Sequence, residues 1–259
     1  MSDLILVERN DRIATVRLNR PDKLNALNKA MWTGIADAFG ALDRDDDIGC
    51  VVLTAAGDRA FSPGADIAEF ASARADVVQA TAYGKVMHAT MGAVAACRHP
   101  VIAVVKGICV GGGLEIALMC DMRICGASSR FGVPINRLGL VMAYPEIEAL
   151  IRLCGESVAL EILFEARVFG PEEALRKRLV NRVVADEKVD EEGLATARRI
   201  ADGAPLVNRW HKKFARRLAE GRPLSEGEAA EGFACFGTED YRIGREAFLA
   251  KARPAFKGR

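Results

Sequence analysis

Two short segments carry the residues that could do chemistry. Gly111-Gly112-Gly113-Leu114-Glu115 follows an apolar stretch and opens a helical one. The first amides of a helix have no partner inside the helix and point outward. The helix dipole adds partial positive charge there, and glycines let an oxygen approach without meeting a Cβ. Such a place suits negative charge developing on a carbonyl oxygen. Glu115 stands in the same first turn as Gly112, so its side chain can share a face with the Gly112 amide. A carboxylate beside such a site is a natural base for a proton α to a carbonyl. Taken alone, the segment reads better as a tight strand–helix turn packed on a sheet, with Glu115 serving the helix N-terminus. It is not a P-loop, because no Gly-Lys-Ser/Thr follows.

The second segment is Phe61-Ser62-Pro63-Gly64-Ala65-Asp66-Ile67. Gly64 permits an unusual backbone angle that would aim the Ala65 amide into a cleft. Two amides from separate loops can then pinch one oxygen, each donor typically worth roughly 3–4 kcal/mol of barrier. By itself this stretch is only a loop with Pro and Gly.

The elements that must position these loops follow from patterning. Strands are expected at Leu4–Val7, Ile13–Leu18, Cys50–Thr54, Val101–Val105, Met122–Cys125, Arg130–Val133 and Val180–Val184. Asn28 is expected to cap a helix running to about Leu42, and a long helix is expected from about Asp76 to Cys97, with Pro100 beyond it. After Tyr144-Pro145 the pattern is helical, with helices near Glu146–Leu153, Ser157–Phe164, Pro171–Arg178, Glu191–Ala201, Leu206–Ala219 and Glu226–Phe236. Strands alternating with helices, then helices alone, argue for an α/β core with a helical C-terminal extension. The division expected is a core over residues 1–200 and a helical region over 201–259.

Bulk properties narrow the function classes. The chain has 259 residues and a formal net charge of +1, which gives no reason to expect a nucleic-acid or membrane-surface partner. The basic stretch Arg209–Arg217 therefore reads as a solvated helix face. No apolar run approaches the roughly 20 residues that span a bilayer. Met1-Ser2-Asp3-Leu4 lacks the basic and apolar regions of a signal peptide. The seven cysteines form no CxxC pair and sit mostly in apolar runs, so they read as reduced, buried hydrophobes of a cytoplasmic protein. His88, His99 and His211 have no neighbours at metal-ligand spacing, so no metal site is expected. No GxSxG elbow is present.

Together the two glycine-bearing segments are far more specific than either alone. Phe61–Ile67 and Gly111–Asp121 closely resemble the paired signatures of the crotonase (enoyl-CoA hydratase/isomerase) superfamily. The resemblance spans nearly the whole chain. Asn19-Arg20-Pro21 with Leu24-Asn25-Ala26-Leu27 resembles its N-terminal CoA-binding segment, and His99-Pro100-Val101-Ile102-Ala103 its strand before the glycines. Thr238-Glu239-Asp240 and Arg253–Lys257 resemble its C-terminal end. The resemblance implies a spiral of ββα turns with a helical C-terminal trimerisation region, assembled as a homotrimer or a hexamer. It implies an acyl-CoA thioester as substrate, with no cofactor beyond the coenzyme A that the substrate carries. Ala65 and Gly112 match the positions whose amides hold the thioester oxygen. Lys23, Leu24 and Ala26, with Asp66 and Ile67, match the stretches lining adenine and pantetheine. Glu115 matches one of the two catalytic glutamates of the hydratases.

One departure matters. In the hydratases the second glutamate follows the Phe-Gly-x-Pro turn directly. Here the turn is Phe131-Gly132-Val133-Pro134 and Ile135 comes next. The following segment is altered to Met142-Ala143-Tyr144-Pro145-Glu146. The two-carboxylate apparatus for adding water is thus incomplete, unless Tyr144 or Glu146 reaches the cleft and restores part of it. The expected function is enolate chemistry on an acyl-CoA with Glu115 as acid/base. The alternatives are an acyl-CoA decarboxylase of the methylmalonyl-CoA type, or a crotonase-fold binding protein without catalysis.

Overall fold

In Cys50–Ala55, successive residues serve opposite faces of a sheet. Val51 and Leu53 join one buried cluster, while Cys50 and Val52 join another. Val101–Val105 repeats the pattern, with Val101, Ala103 and Val105 on one side and Ile102 and Val104 on the other. A strand covered on both faces has no solvent side, so it reads as an unbroken apolar run.

The structure, a computed structural model, describes residues 4–259; Met1–Asp3, on which the leader expectation rests, lie outside the described residues. The chain runs β1 (Ile5–Asn10), β2 (Ile13–Leu18), α1 (Lys29–Asp43), β3 (Cys50–Ala55), β4 (Ala60–Ser62), α2 (Phe70–Ala73) and α3 (Val77–Ala96). It continues with β5 (Val101–Val105), β6 (Ile108–Val110), α4 (Gly112–Leu118), β7 (Met122–Gly126), β8 (Arg130–Gly132), α5 (Tyr144–Cys154), α6 (Glu156–Glu165), α7 (Pro171–Arg176) and β9 (Arg182–Val184). The helices α8 (Val189–Ala201), α9 (Pro205–Ala219), α10 (Glu226–Glu231) and α11 (Glu239–Leu249) complete it.

The larger sheet has the order β1-β2-β3-β5-β7-β9 and is parallel except for the β1–β2 hairpin. A second parallel sheet, β4-β6-β8, is made of three-residue strands. Three times the chain lays one strand in the large sheet and the next in the small one, which is the spiral that the resemblance implied. The cluster on one face holds Trp32 and Phe39 of α1 and Met91 of α3; α8 closes the other face with Val189 and Ala197. Full burial of each such large side chain contributes about 1.5–3 kcal/mol.

Caps fix the helix starts. The Asn28 side chain accepts from Met31 N–H at 2.9 Å, where a cap was expected, and Asp76, the expected start of the long helix, accepts from Gln79 N–H at 2.8 Å. The expected helix Glu226–Phe236 is shorter: α10 ends at Glu231, Gly232 follows, and Ala234–Gly237 forms a separate 3-10 turn. The expected strand at Val180 begins only at Arg182. The pattern did not reveal β4, β6 or α11.

The basic residues of α9 are engaged within the chain. Lys212 pairs with Asp121 at 2.6 Å, Lys213 with Glu231 at 2.6 Å, Arg216 with Asp121 at 3.2 Å, and Arg217 with Glu228. Lys212 also donates to the His99 carbonyl at 2.7 Å, and Asp121 accepts from Val101 N–H at 2.7 Å. These bonds tie α9 to the start of β5. No helix is long and apolar enough to cross a membrane among the described residues. All seven cysteines are free, five of them buried.

Candidate active site

The small sheet brings the two glycine loops together. β4 pairs with β6, and each strand runs directly into its loop. Gly64 adopts φ +103°, a region that side-chain-bearing residues rarely enter. A Cβ there would stand 2.9 Å from the Gly112 nitrogen and 3.1 Å from the Val110 carbonyl oxygen. Behind it, a Cβ on Gly113 would fall 2.2 Å from the Ser62 carbonyl oxygen. The loop and the helix start approach this closely only because both positions are glycine.

The Ala65 and Gly112 amides lie side by side: a Cβ built on Gly112 would be 3.5 Å from the Ala65 nitrogen. Among the described residues, neither amide takes part in a backbone hydrogen bond. Their neighbours do. Gly111 N–H donates to the Gly132 carbonyl at 2.9 Å, and Asp66 N–H to the Leu27 carbonyl at 2.9 Å. Backbone groups near a protein interior are ordinarily paired, so two adjacent unpaired donors at a helix start mark a place for an acceptor.

The N-terminal loop joins this site through Leu27, whose N–H donates to the Gly64 carbonyl at 2.8 Å. Arg20 pairs with Asp66 at 2.6 Å and donates to the Ala26 carbonyl at 3.1 Å. The Arg20 guanidinium holds the Asp66 carboxyl below its ordinary range. Buried Asn25 donates to the carbonyls of Ala56 and Ala60 at 3.0 and 2.8 Å, and accepts from Arg20 N–H at 2.9 Å. Lys23, Leu24 and Ala26 thereby come to lie on the same loop system as Ala65, Asp66 and Ile67, with Lys23 and Ile67 exposed.

Glu115 is 6 % exposed on the first turn of α4. Burial pushes its carboxyl up to about 8; the negative charge of Glu146 adds to the rise, and Arg74 works against it. Glu146 sits at the start of α5, which packs on α4, and is 3 % exposed. Tyr144 and Ile135, the other two positions considered for the second group, differ from it in burial. Tyr144 is 92 % exposed, one residue before Pro145 at the helix start. Ile135 is half-buried and packs against the main apolar cluster.

Two residues near the carboxylates had escaped notice in the sequence. His88 on α3 lies 3.1 Å from Glu146 through Nε2 and Oε1. Arg74, just after α2, stacks over the Tyr83 ring at 4.1 Å and the Phe70 ring at 5.2 Å. No spacing rule links residues 74, 88, 115 and 146; only the fold does. A cavity of about 790 Å³ bounded by Arg98, Trp210, Phe214 and Glu228 lies under α9 and α10 and contains none of these groups.

Residues 8–259 match the family described as enoyl-CoA hydratase/isomerase. The chain is 37% identical over 260 residues to a probable enoyl-CoA hydratase of Mycobacterium bovis, covering 99% of each protein. It is 34% identical to a crotonyl-CoA hydratase of Syntrophomonas wolfei, covering 97% of each. A crystal structure of an enoyl-CoA hydratase/carnithine racemase from Magnetospirillum magneticum superposes with a TM-score of 0.98 at 51% identity, over 100% of this chain and 97% of that one.

Proposed function

The chain belongs to the enoyl-CoA hydratase/isomerase family, and we propose that it holds the enolate of an acyl-CoA thioester between the amides of Ala65 and Gly112, with Glu115 moving the proton at the α-carbon. The observation that carries this reading is the pair of unpaired main-chain donors, one of them on the same helical turn as a buried carboxylate. Donors fixed before the reaction lose no reorganisation energy when charge develops on the thioester oxygen.

The condition of Glu115 fits the task. A carboxyl held near 8 is mostly protonated at neutral pH, so it can give a proton to an enolate carbon. The ionised fraction can take one from the α-carbon. Lys23, Leu24, Ala26, Asp66 and Ile67 line the path for the nucleotide and pantetheine. The reaction draws on no group beyond the coenzyme A of the substrate. Decarboxylation would use the same pair of amides, but the buried carboxyl of Glu115 serves proton transfer at the α-carbon.

Solvent deuterium exchange at the α-carbon, across a panel of acyl-CoAs, tests the reading. Exchange by the wild type and its loss in Gly112→Pro, which deletes the donor, is the expected result. Acyl-CoA binding without exchange by the wild type would leave a binding protein instead.

A further inference from the structure

A buried carboxylate needs its oxygens satisfied, because leaving one bare in a low-dielectric interior is costly. Glu146 is satisfied on one side only. Its Oε1 meets His88 Nε2 at 3.1 Å. Its Oε2 is fully buried and has no hydrogen-bond partner among the described residues. The residue is 3 % exposed, although a glutamate in the first turn of a helix can readily turn to solvent, as Glu148 in the same helix does. The α5 backbone aims it inward, against α4 and toward Glu115.

We propose that Glu146 is the second proton-transfer group of this site, with His88 as its positioning residue, so that the carboxylate absent at Ile135 is supplied from α5. The inference rests on the enolate chemistry of Ala65, Gly112 and Glu115. It changes the class of reaction open to the protein from transfers that need one acid to addition of water across a 2-enoyl-CoA.

The step balances as follows. Glu146 takes a proton from water through Oε2 while the water oxygen bonds to the β-carbon. The π pair of the carbon–carbon double bond moves to the thioester oxygen between the two amides. Glu115 then gives its proton to the α-carbon as the enolate collapses to the thioester. A proton passes from Glu146 back to Glu115, and the sum is one water added. The charged groups facing this pair are few: His88 from α3, Glu146 from α5, Glu115 from α4, and Arg74 from the segment before α3. Burial, with the negative charge of Glu146 adding to it, raises the Glu115 carboxyl, so Glu115 holds the proton that it gives to the α-carbon.

The test compares hydration of crotonyl-CoA with α-deuterium exchange on butyryl-CoA, in wild type, Glu146→Gln, Glu146→Asp and His88→Gln. Loss of a positioned proton-transfer group typically lowers a rate about 10²–10⁴-fold. Glu146→Gln should lose that much kcat for hydration, and the loss should exceed any loss of exchange by about tenfold or more. Glu146→Asp should recover part of it. His88→Gln should lower kcat with little change in KM and shift the pH profile of hydration. Should Glu146→Gln fail to fold, the Asp variant and His88→Gln carry the test. Hydration by Glu146→Gln at the wild-type rate overturns the proposal. So does a wild type that exchanges the α-proton but adds no water to crotonyl-CoA. Absence of exchange in the wild type instead overturns the enolate reading beneath it.

Discussion

A Cβ on Gly64 would stand 2.9 Å from the Gly112 nitrogen. The two loops are thus in contact at the atom that supplies one of the two proposed donors. Gly64→Ala should force the loop away from α4 and also strain its own backbone at φ +103°. Displacing a donor typically reduces kcat about 10²–10³-fold. The expected outcome is a variant that still binds acyl-CoA, melts at a lower temperature and has lost most α-exchange. Exchange at the wild-type rate would show that this amide does not act.

The raised pKa of Glu115 predicts how stability follows pH. Its carboxyl sits near 8 in the folded chain against 4.5 when unperturbed, chiefly through burial. The folded state therefore keeps a proton that the unfolded state gives up. The contribution of this group to stability is complete below 4.5 and is lost as pH rises through about 8, a total on the order of a few kcal/mol. Glu115→Gln cannot ionise, so it should gain on the wild type in alkaline solution and lose that gain in acid. Thermal melts from pH 5 to pH 9 measure this. The same variant should have no measurable α-exchange at any pH.

Asn25 offers a separate check on the loop proposed to take coenzyme A. Its side chain satisfies two carbonyls and one amide while buried. Asn25→Ala leaves those groups unpaired, each at a cost of about 1–3 kcal/mol. Breaking the Arg20–Asp66 pair with Asp66→Asn is milder. It should raise KM for acyl-CoA several-fold, roughly the effect of a lost charge-assisted hydrogen bond, while kcat stays close to the wild type. Steady-state kinetics separate the two effects.

In the single chain α11 exposes Phe248 at 83 %, and the segment after α10 exposes Phe233 at 72 %. We propose that these aromatics take part in association between copies of the chain. Light scattering at micromolar concentration should find a trimer or a pair of trimers, and Phe248→Asp should shift it toward smaller species. A wild type that stays monomeric under those conditions would refute the assignment.

What the residues revealed in advance depended on how local each signal is. Asn28 announces its helix because a cap acts over three residues. Cys50–Thr54 and Val101–Val105 stand out because burial on both faces makes an apolar run. The strands β4 and β6 are three residues long, too short for any period to show. The helix α11 had a legible cap, Thr238, which accepts from Tyr241 N–H at 3.0 Å, with Glu239 and Asp240 in the first turn. At the site, residue type and spacing only suggested Glu115 and the two glycine loops, and the resemblance of the paired segments to the crotonase superfamily singled them out. The inward turn of Glu146 could not be read, since it depends on α5 packing against α4, and neither could its meeting with His88 across 58 residues of chain.

The two proposed donors are main-chain amides, and this has a consequence for inheritance. Any residue except proline at position 65 carries the same N–H, so that position is free to drift across descendants without touching the chemistry. The burden of selection falls instead on Gly64 and Gly113, which donate nothing to the thioester oxygen and leave room around it. In a lineage of related chains, the invariant letters at these loops should mark the spaces around the reaction, and the Ala65 amide that takes part in it should be written in a variable one.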